Sequence, residues 1–229
     1  MSNAWNLRRI PMALTLLIAL LSALVALGLS GGHDALAHEK GQQAKKGAIS
    51  KKELALRNDM RRLWEDHITW TRLAIISLTT DAPDTEATVG RLLRNQTDIG
   101  DAIKPFYGTA AGKELTRLLR EHILIAADLV LAARAGDQAA VADAQARWTA
   151  NADEIAGFLA SANPRFWKFG EMQEMLHEHL RLTTNEAVAR LQGNWAADVA
   201  VYDQIHLQAL EMADMLSTGI VRQFPRRFR

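Results

Sequence analysis

The chain has 229 residues, 48% of them hydrophobic and 23% charged, an ordinary globular balance with length enough for one sizeable core. Setting aside the first 37 residues removes Arg8, Arg9 and Asp34 and leaves acidic and basic residues in equal number, so the remainder lacks the concentrated basic surface that nucleic acid requires. There is no cysteine, which excludes disulfides, iron–sulfur clusters, thiolate zinc sites and cysteine nucleophiles.

Residues 1–37 read as a signal peptide or membrane anchor. Arg8 and Arg9 precede an apolar run over residues 12–30, and Ala35-Leu36-Ala37 is a small-x-small cleavage site. The run also reaches the lower limit for a transmembrane helix, roughly 17 residues. Cleavage after Ala37 is the preferred reading. In either case the two arginines hold the N-terminus inside, so the rest is expected to be extracytoplasmic: secreted, periplasmic, or anchored and facing outward. Residues 38–50 are rich in Lys, Gly and Gln, show no apolar period, and read as a flexible basic linker.

From Lys51 onward the apolar period is helical, and no alternating strand pattern appears. Six helices are expected over 51–80, 84–103, 110–135, 138–161, 169–192 and 195–223. Asp81-Ala82-Pro83-Asp84 closes the first helix, with Asp84 capping the next; Pro105 and Gly108 separate the second from the third. Gly136-Asp137 and Gly193-Asn194 each pair a C-terminal glycine with an N-cap, and Asn163-Pro164 breaks the chain between them. Short connections between long helices imply an all-α, up-and-down bundle of about three helical hairpins spanning residues 51–225. The last four residues, 226–229, form a basic tail expected to fray.

Short similarities support an internal repeat. Leu118-Leu119-Arg120-Glu121-His122 matches Met175-Leu176-His177-Glu178-His179 at an offset of 57, which also carries Gly136-Asp137 onto Gly193-Asn194. Glu65-Asp66-His67 is a more distant copy. The repeated histidines interrupt apolar stripes: His122 among Leu115, Leu118, Leu119, Ala126 and Leu129, and His67 among Met60, Leu63, Trp64 and Ala74. His179 follows Met172, Met175 and Leu176, and His206 falls between Val199, Tyr202, Leu210 and Ala213. Asn95 and Asn151 occupy comparable positions on the intervening helices. Their similar distances from the turns place all six at one height, as a polar layer.

Two readings of that layer stay open. In one, the side chains hydrogen-bond each other and fix helix register, because an unpartnered buried polar group costs roughly 1–3 kcal/mol. In the other, His67, His122, His179 and His206, with Asp203 completing the set, hold zinc, copper or iron, the metals suited to convergent imidazoles. Bis-histidine haem ligation is a weaker alternative, without a small-residue pocket signal. Glu174-x-x-His177 has di-iron spacing, but His177 lies about 200° around the helix from His179 and points to solvent. No glycine-rich phosphate loop, Gly-x-Ser-x-Gly elbow or His-Glu-x-x-His is present.

Leu63-Trp64-Glu65-Asp66-His67 with Trp70-Thr71-Arg72, residues 119–127, Asn151-Ala152-Asp153, and Met212-Ala213-Asp214-Met215 through Gln223-Phe224-Pro225 carry a resemblance. Over residues 55–225 the chain resembles an uncharacterised bacterial family of small exported helical-bundle proteins. Some members bear enzyme names, glycosyltransferase or acetylglutamate kinase, that no helix here supports. The resemblance implies one compact domain and no activity, with histidine usual at the positions of His67, His122 and His179 and less constant at that of His206. The expectation is therefore a non-enzymatic extracytoplasmic bundle, binding a transition metal through its core histidines or acting as an envelope interaction or sensory module.

Overall fold

A computed structural model describes residues 49–229; the expected signal segment and nearly all of the linker lie outside the described residues. Those described form five α-helices and a closing 3-10 turn, without a strand: α1 (Lys51–Thr80), α2 (Thr85–Ala135), α3 (Gln138–Ala162), α4 (Phe169–Leu191), α5 (Trp195–Gln223) and the turn Pro225–Phe228. Among the described residues, no helix is long and apolar enough to cross a membrane.

The helix ends follow from local chemistry. The Ser50 hydroxyl accepts the backbone N–H of Glu53 at 3.1 Å and starts α1, while the Glu53 carboxylate is held by Arg57 one turn on. Asp81 ends α1 in the left-handed region, φ 55°. Asp137 accepts the N–H groups of Ala139 and Ala140 to start α3, and Asn194 accepts that of Ala197 to start α5. Asp84 departs from expectation. Its carboxylate makes no cap hydrogen bond to α2 and instead accepts the hydroxyl of Ser77 at 2.8 Å, tying the turn to the end of α1.

The second and third expected helices are one run, α2, broken at a single residue. Gly108 sits inside it at φ 87° and ψ 167°, a conformation essentially reserved for glycine, while Pro105 stays within the helix. The two arms meet closely across this corner. A Cβ at Gly100 would lie 2.6 Å from the Gly112 carbonyl oxygen, and one at Gly112 equally close to that of Gly100. Only glycines permit so tight a crossing.

Each helix packs on the next, α5 returns against α1, and α1 also touches α4. Polar ties along the α1–α5 seam join Arg57 to Thr218 at 3.0 Å and Arg61 to Asp214. The largest apolar cluster is continuous from Met60 and Leu63 through Leu115, Ile155 and Leu176 to Ile220 and Phe228. Beyond His67 and His122 this cluster continues through Ile125, Leu129 and Ala144, while other buried apolar residues form small separate groups, one around Ile75 and Val130 and another around Ala74, Leu92 and Ile123.

The tail does not fray. Phe228 is 8% exposed and stacks on Phe106 at 5.8 Å and 18°, and Arg227 donates to the Pro105 carbonyl at the α2 corner. Burying the Phe228 ring holds the basic residues beside it, so the bundle extends three residues past its expected end.

Candidate functional site: a buried histidine–amide layer

His67 on α1, His122 on the second arm of α2 and His179 on α4 are 3%, 4% and 3% exposed, so all three face the interior as expected. The rings of His67 and His179 stand 5.7 Å apart, and those of His122 and His179 6.3 Å apart. Each imidazole presents Nδ1 to an amide side chain 29 residues later: Gln96 at 3.2 Å, Asn151 at 2.9 Å and Gln208 at 3.1 Å. The facing helices are further tied by amide N–H donation to backbone carbonyls one turn before each histidine. Asn95 donates to Leu63 at 3.0 Å, Asn151 to Leu118 at 3.2 Å and Gln208 to Met175 at 2.8 Å.

The hydrogen-bond network assigns the ring protons. The Trp148 indole N–H donates to His122 Nε2 at 3.2 Å, so His122 carries its proton on Nδ1 and gives it to Asn151 Oδ1. Gln208 uses its NH2 on Met175, leaving its oxygen to accept from His179 Nδ1. His67 is the opposite tautomer. The Gln96 NH2 lies 2.9 Å from the Leu92 carbonyl and 3.1 Å from Asn95 Oδ1, both acceptors, so it is this nitrogen that faces His67 Nδ1; its two hydrogens are shared among three acceptors, and a bare Nδ1 with the ring proton on Nε2 avoids setting donor against donor. The buried Gln96 Oε1 has no partner.

Burial keeps the layer neutral. It pushes His67 well below its ordinary value, helped by repulsion from His179 and His122, and pushes His122 down to about 3. His179 is lowered by the same desolvation, partly opposed by its bond to Gln208.

The other two expected ligands are elsewhere. Asp203 is exposed, and His206 is 44% exposed with its Nε2 3.3 Å from Glu65 on the surface of the α1–α5 seam. The reason is rotational: Gln208, two residues on, takes the inward position, and a helix turns about 200° over two residues. His177 faces outward as expected and meets Asp153 at 2.7 Å. For a metal, three inner imidazoles supply one bare Nε2, that of His179; His122 spends its lone pair on Trp148, and His67 Nε2 is protonated. Among the described residues, no set of three or more histidine, aspartate or glutamate side chains is arranged to hold an ion.

Two features escaped the sequence reading. Gln96 and Gln208 were legible in principle, because the 29-residue spacing of His122 and Asn151, applied to His67 and His179, lands on them. An ionic cluster was not. Arg72 on α1 reaches Glu186 on α4 at 2.6 Å and Asp198 on α5 at 2.8 Å, and Arg190 holds Asp198 at 2.9 Å. Glu186 and Asp198 are 2% and 1% exposed. Burial pushes the Asp198 carboxyl up, but bonds from both arginines overcome this and hold it low, whereas Glu186, with one arginine bond, is raised to about 7.

No protein-family model matches the chain, and no curated protein or solved structure is significantly similar to it.

Proposed function

We propose that this chain is a non-enzymatic, extracytoplasmic helical-bundle module of the cell envelope, and that its histidine–amide layer is architectural. The extracytoplasmic placement rests on the sequence of residues 1–37 and the lack of activity on the absence of recognisable catalytic motifs. The observation that carries the architectural reading is His122, whose two ring nitrogens are both consumed, by Asn151 and by Trp148. A side chain whose hydrogen-bonding capacity is fully used holds helices in register; it has nothing left to offer a substrate. The recurrence of one contact at three histidines supports reading the bundle as three hairpins of one type, each closed by a histidine and an amide.

The competing metal reading keeps His67, His122 and His179 and loses His206 and Asp203. It requires His122 to exchange Trp148 for the ion and His67 to move its proton to Nδ1. Elemental analysis of the full-length protein, purified without a polyhistidine tag and after incubation with zinc, copper and iron salts, separates the two. The expected result is no stoichiometric metal. Stoichiometric metal that disappears in His179→Ala would replace the architectural reading with a metal site.

A further inference from the structure

One turn beyond the histidine layer, on the side where the core is fragmented, lies a cavity of about 130 Å3. It is bounded by α1, both arms of α2, α3 and α4, through residues such as Ala74, Ile75, Leu92, Ala127 and Val130. On the other side of the layer the gap between the helices is about 30 Å3, filled in by Trp64, Trp167 and Met212. The difference lies in side-chain size. Alanines at 74, 126, 127, 133 and 187 stand where the other half carries large residues.

The lining selects a chemistry. No charged side chain borders the cavity. Its two polar groups nearest the layer are already committed: Thr71 donates to the His67 carbonyl at 2.8 Å, and Thr183 to that of His179 at 2.9 Å. A charged ligand would lose its hydration with nothing to replace it, whereas an apolar one loses nothing. Half-buried Gln145 and Thr184 stand at the rim, where one polar substituent could meet them. Size sets the other limit, since an apolar cavity of roughly 150 Å3 accepts benzene. Trp148 both lines this cavity and donates to His122, so an occupant touches the layer directly.

We propose that this cavity is a binding site for a small neutral apolar molecule, of the size of a single ring or a short branched chain. The site goes beyond the architectural reading of the layer and does not depend on it, because metal is read by elemental analysis and the cavity by ligand binding. The test is a titration of the full-length protein with toluene, followed by thermal shift and calorimetry, with benzoate and benzylamine as charged counterparts. Toluene should bind saturably, the charged analogues should not, and Ala127→Leu, which fills the cavity, should weaken toluene binding by at least roughly tenfold. If Ala127→Leu fails to fold by circular dichroism, Ala133→Leu at the half-buried rim takes its place. Absence of saturable binding to the wild-type protein, or equal binding by wild type and a folded filled variant, overturns the proposal.

Discussion

The carbonyl oxygens of Leu63, Leu118 and Met175 already accept helical hydrogen bonds from their own segments, yet each takes a second one from an amide on the facing helix. A carbonyl has two lone pairs, and this use of the second one joins neighbouring helices at a fixed height. The histidine one turn later then donates to, or accepts from, an amide of the same helix. Removing one partner leaves the other's buried nitrogen or oxygen without its hydrogen bond. Gln208→Leu should therefore cost about 1–3 kcal/mol in denaturant unfolding, because His179 Nδ1 loses its acceptor. His206→Ala, two residues away on the outer face, should change stability by no more than about 0.5 kcal/mol. Equal effects of the two would show that α5 is rotated from the arrangement described.

At the scale of the element, the α2 corner concentrates backbone constraint in one residue. Nothing lies within 4 Å of a Cβ built at Gly108, so Gly108→Ala tests the φ 87° conformation itself and not a clash. The expected loss is about 1–3 kcal/mol. Gly90 is the matched control. It lies in the same helix, also with open space around its Cβ, and its backbone is ordinary. There alanine should stabilise by about 0.5–1 kcal/mol, since glycine in a helix interior carries extra chain entropy. Thermal unfolding of the two variants should shift in opposite directions. Pro105 falls three residues before the break, and its carbonyl accepts from Arg227, which ties the C-terminal turn to the corner.

For the whole molecule, buried titratable groups set a pH profile whose sign can be worked out. A histidine ordinarily titrating at 6.5 and pushed to about 3 in the fold binds its proton in the unfolded chain first. Its stabilising contribution is present above pH 6.5 and is lost on acidification toward 3, with a slope of up to about 1.4 kcal/mol per pH unit. His67 and His179 are shifted in the same direction. Glu186 opposes them. Its carboxyl is raised from 4.5 to about 7, so its contribution is complete below pH 4.5 and lost as pH rises through 7. Three groups against one predict falling stability from pH 6.5 down to 4.5, and Glu186→Gln should make that fall steeper. Chemical denaturation at half-unit pH steps measures it; a flat wild-type profile would contradict the neutral, buried layer. The cavity adds a second whole-molecule effect. Apolar side chains around that space lack packing partners, so a filled variant that folds should gain stability as it loses ligand.

The sequence by itself determined what depends on near neighbours along the chain. Helical period, the caps at Asp137 and Asn194, the glycine breaks at 108, 136 and 193, and the inward facing of His67, His122 and His179 are all set within a turn or two of each residue. The rotation of α5 is not. Apolar residues run around much of that helix, and Val199 and Leu207 end 53% and 65% exposed, so the local pattern admits more than one inward face. Packing against α1 and α4 selects Ile205, Ala209, Met212 and Leu216, which brings Gln208 to His179 and turns His206 and Asp203 outward. The same holds for Arg72 with Glu186 and Asp198, separated by 114 and 126 residues, and for Phe228 against Phe106. The cavity belongs with them. A void is a mismatch in volume among five helical segments, and only their tertiary arrangement shows which alanines face one another across it.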